Sequence, residues 1–151
     1  MTVEEATPGG YAEHSVPRDL DWNSATFTLM TWALEPLEEM ARRPEKFDVL
    51  VAEMSARRLE LLTQLMRDAF RFDPRGTNVR SRSRVEIWAQ PEEFAERESN
   101  LADAARHLRV AVQSGDRART FRMLSLVKLT CTDCHNAFRE GGDKDVGLKN
   151  P

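Results

Sequence analysis

Long apolar runs are missing from this chain: no stretch approaches the ~20 residues that a helix needs to cross a bilayer. Met1 to Leu20 carries Glu4, Glu5, Pro8 and Gly9-Gly10 where the apolar region of a secretory leader would lie, so no leader is legible there. Glycine is scarce, at 7 of 151 residues, and β-branched and aromatic side chains are sparse, while Ala, Leu, Glu and Arg abound. That balance favours an all-helical chain over a sheet protein. There is no lysine-rich run, and the net charge of −3 is too small to point to nucleic acid as a partner. The chain has only two cysteines, and both fall in one short motif, so there is no disulfide framework to read. The length implies a single domain able to bury a proper core.

What is present centres on Leu129-Thr130-Cys131-Thr132-Asp133-Cys134-His135-Asn136. Cys131 and Cys134 form C-x-x-C-H with His135, the spacing of a c-type haem attachment site. Two thiols one helical turn apart can each form a thioether to a haem vinyl, and the histidine behind them then offers an imidazole nitrogen to the iron. A thioredoxin-like redox pair would require a βαβ context, and none is visible. A zinc site would need further ligands, and the other histidines, His14 and His107, lack ligand spacing. The motif lies near the C-terminus, on a segment with a strong helical pattern.

In chain order, residues 1–21 read as an extended arm, broken by Pro8, Gly9, Gly10 and Pro17. A first helix is expected from about Trp22 to Arg43, capped by Asp21 or Asn23, with Phe27, Met30, Leu34, Leu37, Met40 and Ala41 on its apolar stripe. Pro36 inside it predicts a kink or irregular turn. A second helix is expected to start around Glu45, carrying Phe47, Leu50, Val51, Met54, Leu61, Leu62, Leu65, Met66 and Phe70, with Arg57 and Arg58 snorkelling at its middle. Residues 71–90 form a long link. It opens on the turn signal Asp73-Pro74-Arg75-Gly76 and is locally basic through Arg71, Arg75, Arg80, Arg82 and Arg84. Those arginines fit a solvated loop, or a patch facing haem propionates or an acidic partner. Val85, Ile87 and Trp88 are expected to tuck back onto the bundle. Pro91 opens a third helix with Phe94, Leu101, Ala105, Leu108 and Val112 as its core face. Ser114-Gly115-Asp116 separates it from a fourth, through a left-handed glycine and an aspartate N-cap. The fourth helix runs from Arg117 to about Glu140, with Phe121, Leu124, Lys128, Cys131, His135 and Phe138 on one inward face, and Gly141-Gly142 ends it. The result is an all-α, antiparallel, up-down-up-down four-helix bundle over residues 22–140, with a polar tail at 141–151.

Glu86-Ile87-Trp88-Ala89-Gln90-Pro91-Glu92-Glu93-Phe94, Ser114-Gly115-Asp116 and Thr130-Cys131-Thr132-Asp133-Cys134-His135-Asn136-Ala137-Phe138-Arg139 together resemble the cytochrome c′ family over residues 22–140. The resemblance implies one haem c per chain, covalent at Cys131 and Cys134, with His135 as the proximal iron ligand. In most members the sixth position is empty and faced by an apolar residue of the first helix, giving high-spin iron that binds nitric oxide or carbon monoxide. A subset places a methionine there and carries electrons. By the same resemblance Phe27 falls at the distal position and Met30 one turn along, while Arg139 matches a basic residue on the proximal side. Phe70 and Ile87 fit either haem-lining or ordinary core roles, and Phe27 and Met30 are by spacing alone core residues. Asn23 stands where many relatives have an arginine near a propionate.

Two function classes follow. One is a five-coordinate haem protein binding diatomic gases; the other is a low-spin periplasmic electron carrier with Met30 or another group as sixth ligand. An enzyme is not expected, because no distal acid–base residue lies near Phe27. The resemblance also implies a periplasmic location, with a leader already removed ahead of Met1, a possible redox partner protein, and a possible homodimer through the first two helices.

Overall fold

The computed structural model describes residues 22–71, 73–75 and 80–142. The expected N-terminal arm, the tail beyond residue 142 and Gly76 of the predicted turn lie outside them. The described residues form four long helices and two short helical turns: α1 (Trp22–Arg42), a 3-10 turn (Pro44–Lys46), α2 (Val49–Ala69), α3 (Glu86–Ala89), α4 (Pro91–Gln113) and α5 (Arg117–Phe138). The long helices make an antiparallel bundle in which α1 packs on α2, α2 on α4, and α4 on α5. The α1–α5 seam that closes the ring is far more sparingly packed.

Local chemistry accounts for the element ends. Pro36 sits within α1 without dividing it. The second helix begins later than its apolar pattern implied. Pro44 sets up the 3-10 turn, and Asp48 then caps α2, accepting from the Leu50 and Val51 amides at 2.9 and 3.1 Å. Asn23 lies inside α1 and is buried, so it is not the N-cap, and the other candidate, Asp21, lies outside the described residues. Gly115 has φ +74°, and the Asp116 carboxylate accepts from the Arg119 amide at 2.8 Å, as the Ser-Gly-Asp pattern predicts. Gly141 and Gly142, at φ +74° and +56°, lie just past the end of α5.

The core face of α4 is as expected: Phe94, Leu101, Ala105, Leu108 and Val112 are all buried. That of α2 is met in part. Leu62, Met66 and Phe70 are buried as expected, but Leu50, Val51, Met54, Leu61 and Leu65 are exposed, and Ala52, Ser55, Ala56, Leu59 and Thr63 complete the inward face. Ala41 of α1 and Val85 of the link are exposed too, whereas Ile87 is buried. Small residues at the contacts allow close helix approach, and this favoured alanine and serine over the larger side chains on the outer face. The link contains α3, a helical turn in the segment whose apolar residues are expected to tuck back onto the bundle. Farther upstream it pairs with the chain just past α5: Arg84 N donates to Phe138 O and Glu140 N to Arg82 O, both at 2.8 Å.

Candidate functional site

The α5 helix positions the attachment motif. Its buried line is Thr120, Leu124, Val127, Cys134 and Phe138, so Cys134 points into the bundle while Cys131 and His135 are half-buried. Lys128, expected on the inward face, pairs with Glu38 of α1 at 3.2 Å. The two cysteines are not joined to each other in a disulfide. Across the α1–α5 seam the Phe27 ring meets the His135 imidazole edge-on, with centroids 5.3 Å apart. From there a chain of aromatic rings runs through the bundle: Phe27 to Phe70 at 5.7 Å, Phe70 to Phe94 at 4.9 Å, and Phe94 to Phe138 at 5.2 Å. Phe70 therefore packs directly on Phe27 and is one ring removed from His135. Ile87, buried on α3, lines a shallow cleft with Phe70 and Phe94.

Met30 is buried in the core cluster with Leu34 and Leu37, one turn beyond Phe27. The neighbours of Phe27 along α1 bring no titratable group: Asn23, Thr26 and Met30 are all buried, and the Thr26 hydroxyl is used by the Trp22 carbonyl at 2.8 Å. Arg139 follows α5 directly, in the backbone bridge with Ser83, and its amide donates to the His135 carbonyl at 2.9 Å. The basic link is largely engaged by its own surroundings. Arg75 pairs with Asp73 and lies 5.4 Å from the Trp88 ring, Arg71 is 3.5 Å from Asp68, Arg84 is 3.3 Å from Glu86, and Arg82 donates to the Glu140 carbonyl at 2.5 Å. Arg75 holds the Asp73 carboxyl below the usual carboxylate range through their hydrogen bond.

Two features at the site escaped sequence reading. Arg97 of α4 reaches across to Asp133, between the two cysteines, bonding its carboxylate and its backbone carbonyl, the latter at 3.3 Å, and also meets Glu93 at 3.4 Å. Nothing in the spacing of residue 97 marks it. Glu98, in contrast, had a signal: it falls four residues after Phe94 and three before Leu101, on the apolar stripe of α4, and it is buried there.

The donor set fits a covalently held haem. Two thiols at C-x-x-C spacing and one imidazole share a helix that borders the loosest seam of the bundle, and the surroundings are aromatic. Phe27 and His135 touch, so a macrocycle entering between them must part these rings by about one aromatic thickness, ~3.5–4 Å.

A family model described as Cytochrome C' matches residues 20–139. Among curated proteins, cytochrome c' of Pararhodospirillum photometricum is 30% identical over 88 residues, covering 57% of this chain and 70% of that protein. Cytochrome c-554 of Cereibacter sphaeroides is 26% identical over 129 residues, covering 83% and 95%. Among solved structures, cytochrome c' from Rubrivivax gelatinosus superposes with a TM-score of 0.70 at 24% identity, covering 78% of this chain and 91% of that one. A nitric oxide complex of a mutant cytochrome c prime from Alcaligenes xylosoxidans gives the same TM-score and identity, covering 79% and 91%.

Proposed function

The chain belongs to the cytochrome c′ family, whose members carry covalent haem c, and from that premise we propose that it binds small diatomic gases at a five-coordinate, high-spin haem. Cys131 and Cys134 hold the macrocycle through thioethers and His135 ligates the iron on the proximal side. Bound there, the haem supplies an open ligand position for nitric oxide or carbon monoxide. The observation carrying this reading is the Phe27 ring set against His135 across the α1–α5 seam. A phenyl ring has no lone pair for iron, blocks water and bulky ligands by packing, and yields to a small neutral molecule only by swinging aside. Along α1 the buried neighbours of Phe27 (Asn23, Thr26 and Met30) bring neither acid nor base, which suits binding rather than acid–base catalysis. Nitric oxide complexes among the similar structures support the same ligand class.

A second reading, a low-spin electron carrier, rests on the buried Met30 thioether one turn along α1. At ~1.5 Å of rise per residue it sits ~4.5 Å farther along the helix axis than Phe27, which favours Phe27 as the distal residue. The absorption spectrum of the reduced protein separates the two. A high-spin spectrum is expected, and a low-spin one transfers the assignment to the electron carrier. A periplasmic site of action accords with the family.

The outer face of the first two helices supports a homodimer. Leu50, Met54, Leu61 and Leu65 line one exposed side of α2, beside Leu29 and Trp32 of α1, and Arg58 of α2 covers Trp32 at 4.5 Å. An apolar stripe of this length on a surface marks an interaction site. Sedimentation of wild type and Leu61→Glu tests it: a dimer that dissociates in the variant is expected, and a wild-type monomer removes the proposal.

A further inference from the structure

Glu98 is a carboxylate placed where the α4 stripe calls for an apolar side chain. It is only 6% exposed, and among the described residues its Oε1 has no hydrogen-bond partner. Its Oε2 lies 3.9 Å from Arg67 Nε of α2, a mostly solvent-facing cation. Burying a carboxylate with so little compensation is costly, and natural structures keep such groups where they have a use. Glu98 also lies at a shallow cleft of about 230 Å³, open to solvent and walled by Phe70, Ile87, Trp88 and Phe94, which gives a proton a way in.

The same turn of α4 faces the haem motif. Phe94, one turn before Glu98, packs on Phe138, three residues after His135, and Arg97, the adjacent residue, bonds to Asp133 between the cysteines. Among the described residues the charges around Glu98 are few. From α2 come Arg67 and, at the cleft rim, Arg71; α3 presents Ile87 and Trp88; from α5, Asp133 is paired with Arg97. We propose that Glu98 is a proton-binding site linked to the oxidation state of the haem, taking up a proton when the iron is reduced. The inference rests on the haem reading above.

The balance is simple. An external one-electron donor converts ferric to ferrous iron, adding one negative charge inside the bundle, and the Glu98 carboxylate takes one proton from solvent to become a neutral carboxyl. Burial already raises the affinity of Glu98 for a proton, with Arg67 opposing. The added electron raises it further, so uptake occurs at pH values between the oxidised-state and reduced-state titrations. In that window the potential falls as pH rises, by at most ~59 mV per tenfold change in proton concentration for one electron and one proton.

The test is redox titration of the holoprotein across pH for wild type, Glu98→Gln and Arg67→Met. Wild type and Glu98→Gln should agree at acid pH, where both side chains are neutral, and diverge above the window with the variant at higher potential. Slope due to propionates or other groups persists in both proteins and cancels in the difference. Arg67→Met should move the window to higher pH, since it removes the opposing cation. Superimposable profiles for wild type and Glu98→Gln overturn the proposal. Infrared difference spectra, reduced minus oxidised, give a reading on the wild type alone: a protonated-carboxyl band should appear on reduction, and its absence overturns the proposal even where the Gln variant fails to fold. The optical spectrum of the same samples keeps the two readings apart. A normal covalent-haem spectrum with no Glu98 signal rejects the proton site alone, whereas protein without covalent haem rejects both.

Discussion

Replacing Phe27 with alanine tests the distal role directly. In the holoprotein the macrocycle parts Phe27 from His135, so the ring contact that resists an entering ligand is the edge-on one to Phe70. Such a contact is worth ~0.5–1.5 kcal/mol beyond area burial. Removing the ring takes that much off the entry barrier, a roughly 2- to 13-fold faster association. Flash photolysis or stopped-flow mixing of carbon monoxide with the ferrous protein measures it. Met30→Ala is the paired control. Met30 is only 5% exposed, so its loss should cost ~2–5 kcal/mol of stability and leave the spin state as it was. An unchanged carbon monoxide rate in Phe27→Ala would refute the gating argument. A low-spin wild type that turns high-spin in Met30→Ala would install the methionine as sixth ligand and end the gas-binding reading.

Cys131→Ala combined with Cys134→Ala should yield protein without covalent haem and with a poorly folded bundle; haem retained on the chain after acid–acetone extraction, read by mass, contradicts the assignment. Gly115→Ala meets no atom within 4 Å, so its whole cost is the left-handed backbone at φ +74°, ~1–2 kcal/mol, and a fall in Tm of roughly 4 °C per kcal/mol is expected. If the link arginines serve the propionates, substituting Arg71, Arg75, Arg80, Arg82 or Arg84 singly should lower the reduction potential, because losing a nearby positive charge favours ferric iron. Five unchanged potentials return the cluster to a solvated loop, in keeping with the acidic and carbonyl partners that Arg71, Arg75, Arg82 and Arg84 already have.

The four helices and the attachment motif were legible because their signals are local. Asp116, Gly115, Pro91 and the C-x-x-C-H spacing act within a turn or two of themselves. The inner face of α2 was legible only in part, through Leu62, Met66 and Phe70. Its large apolar residues follow a helical period, but so do Ala52, Ser55, Ala56 and Leu59, and which set turns inward depends on how closely α1 and α4 approach. Hydrophobicity read along one helix cannot supply that distance. The brace from Arg97 to Asp133 joins residues 36 apart in sequence and likewise leaves no local trace. Glu98 was visible as a break in the α4 stripe, yet a break of that kind shows only that something is buried, not what it answers to.

The misread face of α2 and the open seam have one physical cause. Ala33 on α1, Ala52 and Ala56 on α2, and Ala104, Ala105 and Ala111 on α4 are buried and let those helices close on one another. Close approach on small residues leaves the bulky side chains of α2 on the outside, as the leucine and methionine stripe that supports a homodimer. Among the described residues, α5 buries no alanine, and what it turns toward α1 is Lys128, paired with Glu38, and His135, met by the Phe27 ring. Aromatic and imidazole rings hold that side of the ring of helices apart where alanines draw the others together. A bundle sealed on three sides and loosely latched on the fourth is one that a flat prosthetic group can enter from the helix carrying its attachment points. The smallest core residues and the largest rings thus bear on the same outcome, since the first fix where the bundle cannot open and the second where it can.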